Sequence, residues 1–154
     1  MQKFSSAGTS VNSTKLPAVY NKINFAAMRV IDYGCGKYTK HLAEYATKQG
    51  AINWTGCDKY NQPKSKYLPS DLAICSNVLN VIAENEIVKQ IVSDLSQSRY
   101  YVVTVYEGNK SGVGKQSKKD CYQRNKKLKE YLQFFPSDAI IYKGCITNNK
   151  NIIK

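Results

Sequence analysis

The sequence predicts an α/β fold: a mostly parallel sheet flanked by helices, with an antiparallel hairpin at its C-terminal end. Three observations carry this. Short apolar, β-branched runs alternate with segments of helical periodicity, the order that builds parallel strands joined by crossover helices. The run at 72–76, Leu-Ala-Ile-Cys-Ser, is apolar almost throughout, as a strand covered on both faces is. The first strand runs directly into a glycine turn and then into a helical pattern.

That first unit reads Met28-Arg-Val-Ile-Asp-Tyr-Gly-Cys-Gly-Lys-Tyr38. Met28, Val30 and Ile31 supply the buried strand, and Asp32 ends it. Gly34 and Gly36 follow at a spacing of two. Glycine suits a backbone that turns tightly and lies close to a ligand. Leu42, Tyr45 and Ala46 then mark a helix over 39–48, which Gly50 caps. Before this unit, Leu16, Val19, Tyr20 and Ile23 predict a helix over 16–25, with Pro17 in its first turn.

The second strand, 52–57, ends in Asp58, which lies 22 residues past Gly36. A carboxylate at the tip of strand two, about 20 residues past the glycines, is what a nucleoside-binding site uses to hold ribose hydroxyls. Two acidic strand ends with a glycine turn between them form one constellation. Residues 59–70 are polar, with Pro63 and Pro69, and too few for a helix and a further strand. After the strand at 72–76, Asn77 leaves its carboxyl end, where open α/β sheets bind ligands. Ile87, Ile91, Val92 and Leu95 predict a helix over 84–95. A β-branched and aromatic strand at 100–106 delivers Tyr106, Glu107 and Gly108 to the same edge. The stretch 109–115 resembles a phosphate loop but has Asn109 and Gln116 where that motif needs glycine and a hydroxyl. It reads instead as a basic substrate loop. Leu128, Tyr131 and Leu132 predict a helix over 120–134. Strands at 139–142 and 145–147 flank Gly144 as a closing hairpin.

Asp32-Tyr-Gly-Cys-Gly36, Gly56-Cys-Asp58 and the stretch from Asp71 to Ile82 resemble the first, second and fourth motifs of class I S-adenosylmethionine-dependent methyltransferases. The resemblance spans residues 28–106. It implies a Rossmann-like sheet, here lacking one strand-helix unit between Asp58 and Asp71, and S-adenosyl-L-methionine as cofactor. It assigns Asp32, Gly34, Cys35, Gly36, Asp58, Lys59 and Asn77 to the cofactor, with Tyr60 and Tyr67 as stacking candidates for the adenine. Tyr38 stands where the family often has a third glycine, and a dinucleotide turn would want glycine at Thr39; the departure counts against a dinucleotide more than against S-adenosylmethionine. For the methyl acceptor, Asn77, Tyr106, Glu107 and Asp120 are candidates for a base or polar positioning group. The segment after the fourth motif lacks the proline-containing turn of amino DNA methyltransferases, and no cysteine follows a proline, as cytosine-C5 enzymes require.

The composition sets the remaining expectations. Residues 1–14 are polar and Ser-rich and read as a flexible arm; 15–154 read as one domain. No leader or membrane-spanning run is evident, so the expected location is cytoplasmic. Five cysteines in no paired spacing, and one histidine, argue against a metal site and for a reducing compartment. His41 reads as a surface residue. The formal charge is +12, and residues 110–129 hold eight basic side chains against Asp120 alone. That concentration favours a nucleic acid, ahead of a solvated face or another acidic acceptor. The expected function is therefore a methyltransferase. Its alternatives are a catalytically inactive S-adenosylmethionine-binding protein, which sequesters the cofactor or blocks a nucleic-acid enzyme, and a plain basic nucleic-acid-binding module.

Overall fold

The computed structural model describes residues 2–9 and 14–154. A first strand, β1 (Arg29–Tyr33), is followed by helix α1 (Lys40–Lys48) and strand β2 (Asn53–Cys57). Then come β3 (Leu72–Ser76), helix α2 (Asn85–Leu95) and β4 (Tyr100–Thr104). A small separate hairpin pairs β5 (Lys115–Lys118) with β6 (Cys121–Gln123), and the chain closes with β7 (Ile140–Tyr142) and β8 (Cys145–Thr147).

Six strands form one sheet in the order β2-β1-β3-β4-β8-β7. The first four are parallel, whereas β8 is antiparallel to β4 and β7 to β8. The expected mixed α/β architecture with a C-terminal antiparallel hairpin is the one observed. Strand alternation divides its core in two. Val30, Leu72, Ile74 and Val102 face α1 and the residues around Tyr20, while Ile31, Ala73, Cys75, Tyr101 and Val103 face α2 and Tyr131. Burial on both faces is why 72–76 carries no polar alternation. Among the described residues, no helix is long and apolar enough to cross a membrane.

Three elements differ from the sequence reading. The helix expected over 16–25 is a single 3-10 segment, Ala18–Lys22, because Pro17 and Ile23 are both extended at its ends. Its apolar spacing still marks burial: Val19, Tyr20 and Ile23 are all in the core. The helix expected over 120–134 is β6 followed by a 3-10 helix, Leu128–Phe134. Asp120 and Asn125 have φ of 58° and 59°, a left-handed backbone that no continuous right-handed helix admits. The strand expected to reach Tyr106 ends at Thr104.

Residues 59–71 form no helix and no strand of the sheet, so β2 is an edge strand. The loop covers part of the face that a strand-helix unit would otherwise cover. Tyr67 folds back onto Tyr33, with ring centroids 5.5 Å apart at 62°. Its hydroxyl is 2.9 Å from Ser98 Oγ, which also accepts the Ser70 N–H at 3.0 Å. Tyr67 is thereby tied to the core while still bordering the cleft along the carboxyl edge.

Tyr67→Ala removes an edge-to-face ring pair and a hydroxyl bond at a half-buried site. A loss of about 2 kcal/mol is expected, below the range for a fully buried aromatic. Urea denaturation measures it; an unchanged midpoint would mean that the loop does not contribute to the core.

Candidate functional site

The carboxyl ends of β1, β2, β3 and β4 all open on one side of the sheet, because the four strands are parallel. The chain leaves β1 through Gly34 and Gly36, at φ of 78° and 81°. Both positions need glycine for that reason. Gly34 has a second reason: a Cβ there would lie 2.3 Å from Val78 Cγ2, so the turn packs directly on the chain leaving β3. The N–H groups of Gly34 and Cys35 both donate to the Cys57 carbonyl, at 2.7 and 3.2 Å. Cys35 sits where Gly56 offers no side chain; a Cβ on Gly56 would be 2.7 Å from its sulfur. Burial pushes the Cys35 thiol well above its ordinary range, so this cysteine is a packing group that reacts only slowly with electrophiles.

Asp32 is buried at the end of β1 and accepts a hydrogen bond from the Tyr20 hydroxyl. Tyr20 in turn accepts from Trp54 Nε1 at 2.9 Å. Burial, with the charge of Asp58 nearby, pushes the Asp32 carboxyl up to about 7, and the Tyr20 bond only partly offsets this. Asp58 sits at the tip of β2. Its Oδ2 accepts the Gly36 N–H at 2.9 Å, which ties the two acidic strand ends together through the glycine turn. Its Oδ1 accepts from Tyr60 N at 3.0 Å, Asn61 N at 2.9 Å and Asn61 Nδ2 at 3.2 Å. A carboxylate has about four lone-pair sites, so Oδ2 keeps room for one more donor while Oδ1 is fully engaged.

These residues line a cleft of about 1230 Å³ along the carboxyl edge. Asp32, Gly34, Cys35, Gly36, Asp58, Lys59 and Asn77, the residues that the sequence assigns to the cofactor, all border it. The Lys59 ammonium lies 5.3 Å from the centre of the Tyr60 ring. Asn77 is in the left-handed region, at φ 58°, and its N–H donates to Thr104 O at 2.9 Å. This places it at the mouth between β3 and β4.

The other three acceptor-side candidates do not line the cleft. Tyr106 points to solvent. Glu107 Oε2 accepts the Leu128 N–H at 2.7 Å, at the start of the 3-10 helix. Asp120 takes the Ser5 N–H at 3.0 Å and the Ser5 hydroxyl. Arg124, counted in the basic segment, is buried; it donates to Ile82 O at 2.5 Å and Ala83 O at 3.2 Å and lies over the Phe134 ring. It is a structural cation, unlike the exposed Lys115 and Lys119. His41, expected on an ordinary surface, borders the cleft together with Tyr38. The Tyr20–Trp54 support of Asp32 leaves no signal in the sequence, since it joins residues 34 apart.

No protein-family model matches the sequence, and no curated protein matches it. Among solved structures, the chain is similar to an S-adenosylmethionine-dependent methyltransferase from Mesorhizobium loti. The identity is 19%, the TM-score 0.45, and the match covers 61% of this chain. The chain spans about half the length of that protein, 53%.

The raised Asp32 carboxyl sets a pH dependence. Unfolded, the group loses its proton near 3.8; folded, it keeps the proton up to about 7. The stability that the neutral carboxyl contributes is complete below pH 4 and is lost as pH rises to 7. Asp32→Asn, neutral throughout, should flatten that loss by up to about 4 kcal/mol. Denaturation at about pH 4.5 and about pH 7.5, on either side of the folded value, measures the difference. Identical slopes in both proteins would refute a buried, proton-retaining Asp32.

Proposed function

We propose that the chain binds S-adenosylmethionine in this cleft and transfers its methyl group to an acidic acceptor, of which nucleic acid is the class favoured by charge. One observation carries the cofactor reading. Two carboxylates, Asp32 and Asp58, end adjacent parallel strands and are joined by a left-handed glycine turn that opens on the cleft. The Asp58 carboxylate suits ribose hydroxyls and would repel the phosphates of a nucleotide, and a bound ammonium favours the charged form of Asp32. In this reading Asp58 Oδ2 takes a ribose hydroxyl and Asp32 faces the amino group of the methionine part. The cofactor supplies an electrophilic methyl on sulfur; the chain supplies binding, alignment and exclusion of water. Asn77, at the mouth, is the polar group best placed to orient an acceptor.

A second reading is favoured by a specific observation. The Glu107 and Asp120 carboxylates are both engaged in bonds to the chain itself and lie off the cleft. A protein that retains the cofactor without turnover, sequestering it or blocking a nucleic-acid enzyme, needs neither. Incubation with labelled cofactor and mixed acceptors separates the two, since only an enzyme consumes it.

Calorimetric titration with S-adenosylhomocysteine tests the shared part. Binding is expected, with a raised melting temperature, because a ligand that binds only the folded state stabilises it. Asp58→Ala should weaken it by about 1.5–3 kcal/mol, the range for hydrogen bonds to a charged group. Equal stabilisation by ATP, or none by either sulfur nucleoside, would sink the cofactor reading. For the acceptor, Lys115→Gln with Lys119→Gln should weaken oligonucleotide binding at every sequence. The salt slope should fall by roughly one for each phosphate that the missing ammonium groups no longer neutralise. Isotherms at several salt concentrations measure this, and no binding at low salt would remove nucleic acid as the acceptor.

A further inference from the structure

One wall of the cleft comes from neither the sheet nor its connections. Gln2, Ser5, Ser6 and Ala7 border it, from the amino-terminal segment. Each part of that segment is held by a different rim. The Tyr60 hydroxyl, on the loop after β2, donates to Gln2 Oε1 at 3.1 Å. Lys3 N donates to Glu84 Oε1 at 2.7 Å, and Ser6 Oγ to Val81 O at 3.0 Å, both on the chain that leaves β3. In the sheet β1 lies between β2 and β3. A segment bonded to the loops after both neighbours therefore spans the carboxyl end of β1, where the glycine turn lies.

The far end is fastened to the β5–β6 hairpin. Asp120, in its turn, takes Ser5 N at 3.0 Å through Oδ1 and Ser6 N at 2.8 Å through its carbonyl. Lys118 Nζ donates to Gly8 O at 3.1 Å, and the Phe4 ring stacks on Tyr122 with centroids 5.3 Å apart. The fastening is uneven. Ser6 is buried, accepts the Tyr122 N–H at 3.2 Å and has φ 53°. The bonds of Gln2 to Tyr60 and of Ser5 to Asp120 are exposed, where water competes.

We propose that residues 2–8 form a strap that closes the cleft over its ligand, pinned at Ser6 and clasped by Asp120. Residues 2–5 swing about the pin, and ligand exchange waits on the clasp. The proposal rests on the cofactor reading for the identity of the ligand, but not for the existence of the strap. It also gives Asp120 a part: it holds the strap and does not touch substrate.

Two variants open the clasp while leaving the pin: deletion of residues 1–5, and Asp120→Gly, which glycine tolerates at φ 58°. Two measurements are made on each beside the full chain. The first is the rate of release of bound S-adenosylhomocysteine by stopped flow, expected to rise about tenfold in both variants with little change in the melting temperature of the ligand-free protein. The second uses no ligand. Cys35 is the one cysteine of intermediate exposure and borders the cleft, the other four being buried. Its labelling by a small maleimide, followed by mass spectrometry, should also accelerate about tenfold. Unchanged labelling in both variants overturns the strap, as does unchanged release. Faster labelling with no binding of S-adenosylhomocysteine by the full chain supports the strap and overturns only the cofactor reading.

Discussion

The carbonyl of Cys57 accepts two N–H groups, from Gly34 and Cys35, and the arrangement of the cleft depends on it. Those bonds carry the β1–β2 ladder past the end of both strands and hold the glycine turn against the tip of β2. Gly36 then reaches the Asp58 carboxylate, and Cys35 fills the space beside Gly56. Val78 closes on Gly34 from the β3 side. The turn is therefore fixed by its own neighbours. A turn held by bonds within the chain does not have to be ordered by binding, and the conformational entropy of a loose loop does not reduce affinity.

The short connection between β2 and β3 has a second effect. Without a strand and helix there, the face of β1 beside α2 would lie open at Tyr33. The loop instead folds Tyr67 over it and anchors the ring to Ser98. The same loop carries Asp58, Tyr60 and Asn61 along the cleft. One short polar segment thus closes the core on one side and shapes the site on the other. This explains a composition that is neither that of a helix nor that of a strand.

Much of this is legible in the sequence because it rests on strong local signals. Continuous apolar runs place β3 within its observed limits, and paired glycines with strand-end carboxylates place the cleft. Signals of the same strength fail where a spacing of three or four apolar residues describes burial without a helix. Around Tyr20 the backbone is a short 3-10 turn between extended residues; from 120 to 134 it is interrupted by Asp120 and Asn125, residue types that accept a left-handed backbone. Arg124 reads as a surface charge, because nothing in its neighbours announces the two carbonyls that bind it. The bonds of residues 2–8 are made largely by backbone and short polar groups, which leave no periodic trace. The support of Asp32 by Tyr20 and Trp54 depends on two elements distant in the chain meeting on one face of the sheet, which spacing along the chain does not record.

That last chain of bonds has an optical side. Trp54 is the only tryptophan in the protein, and its indole N–H binds the phenol oxygen that in turn binds Asp32. A change of charge on the carboxyl repolarises the phenol, and the phenol repolarises the indole. The emission of this one fluorophore is thus an intrinsic gauge of the protonation state at the floor of the cleft, with no label attached and no second tryptophan to blur it.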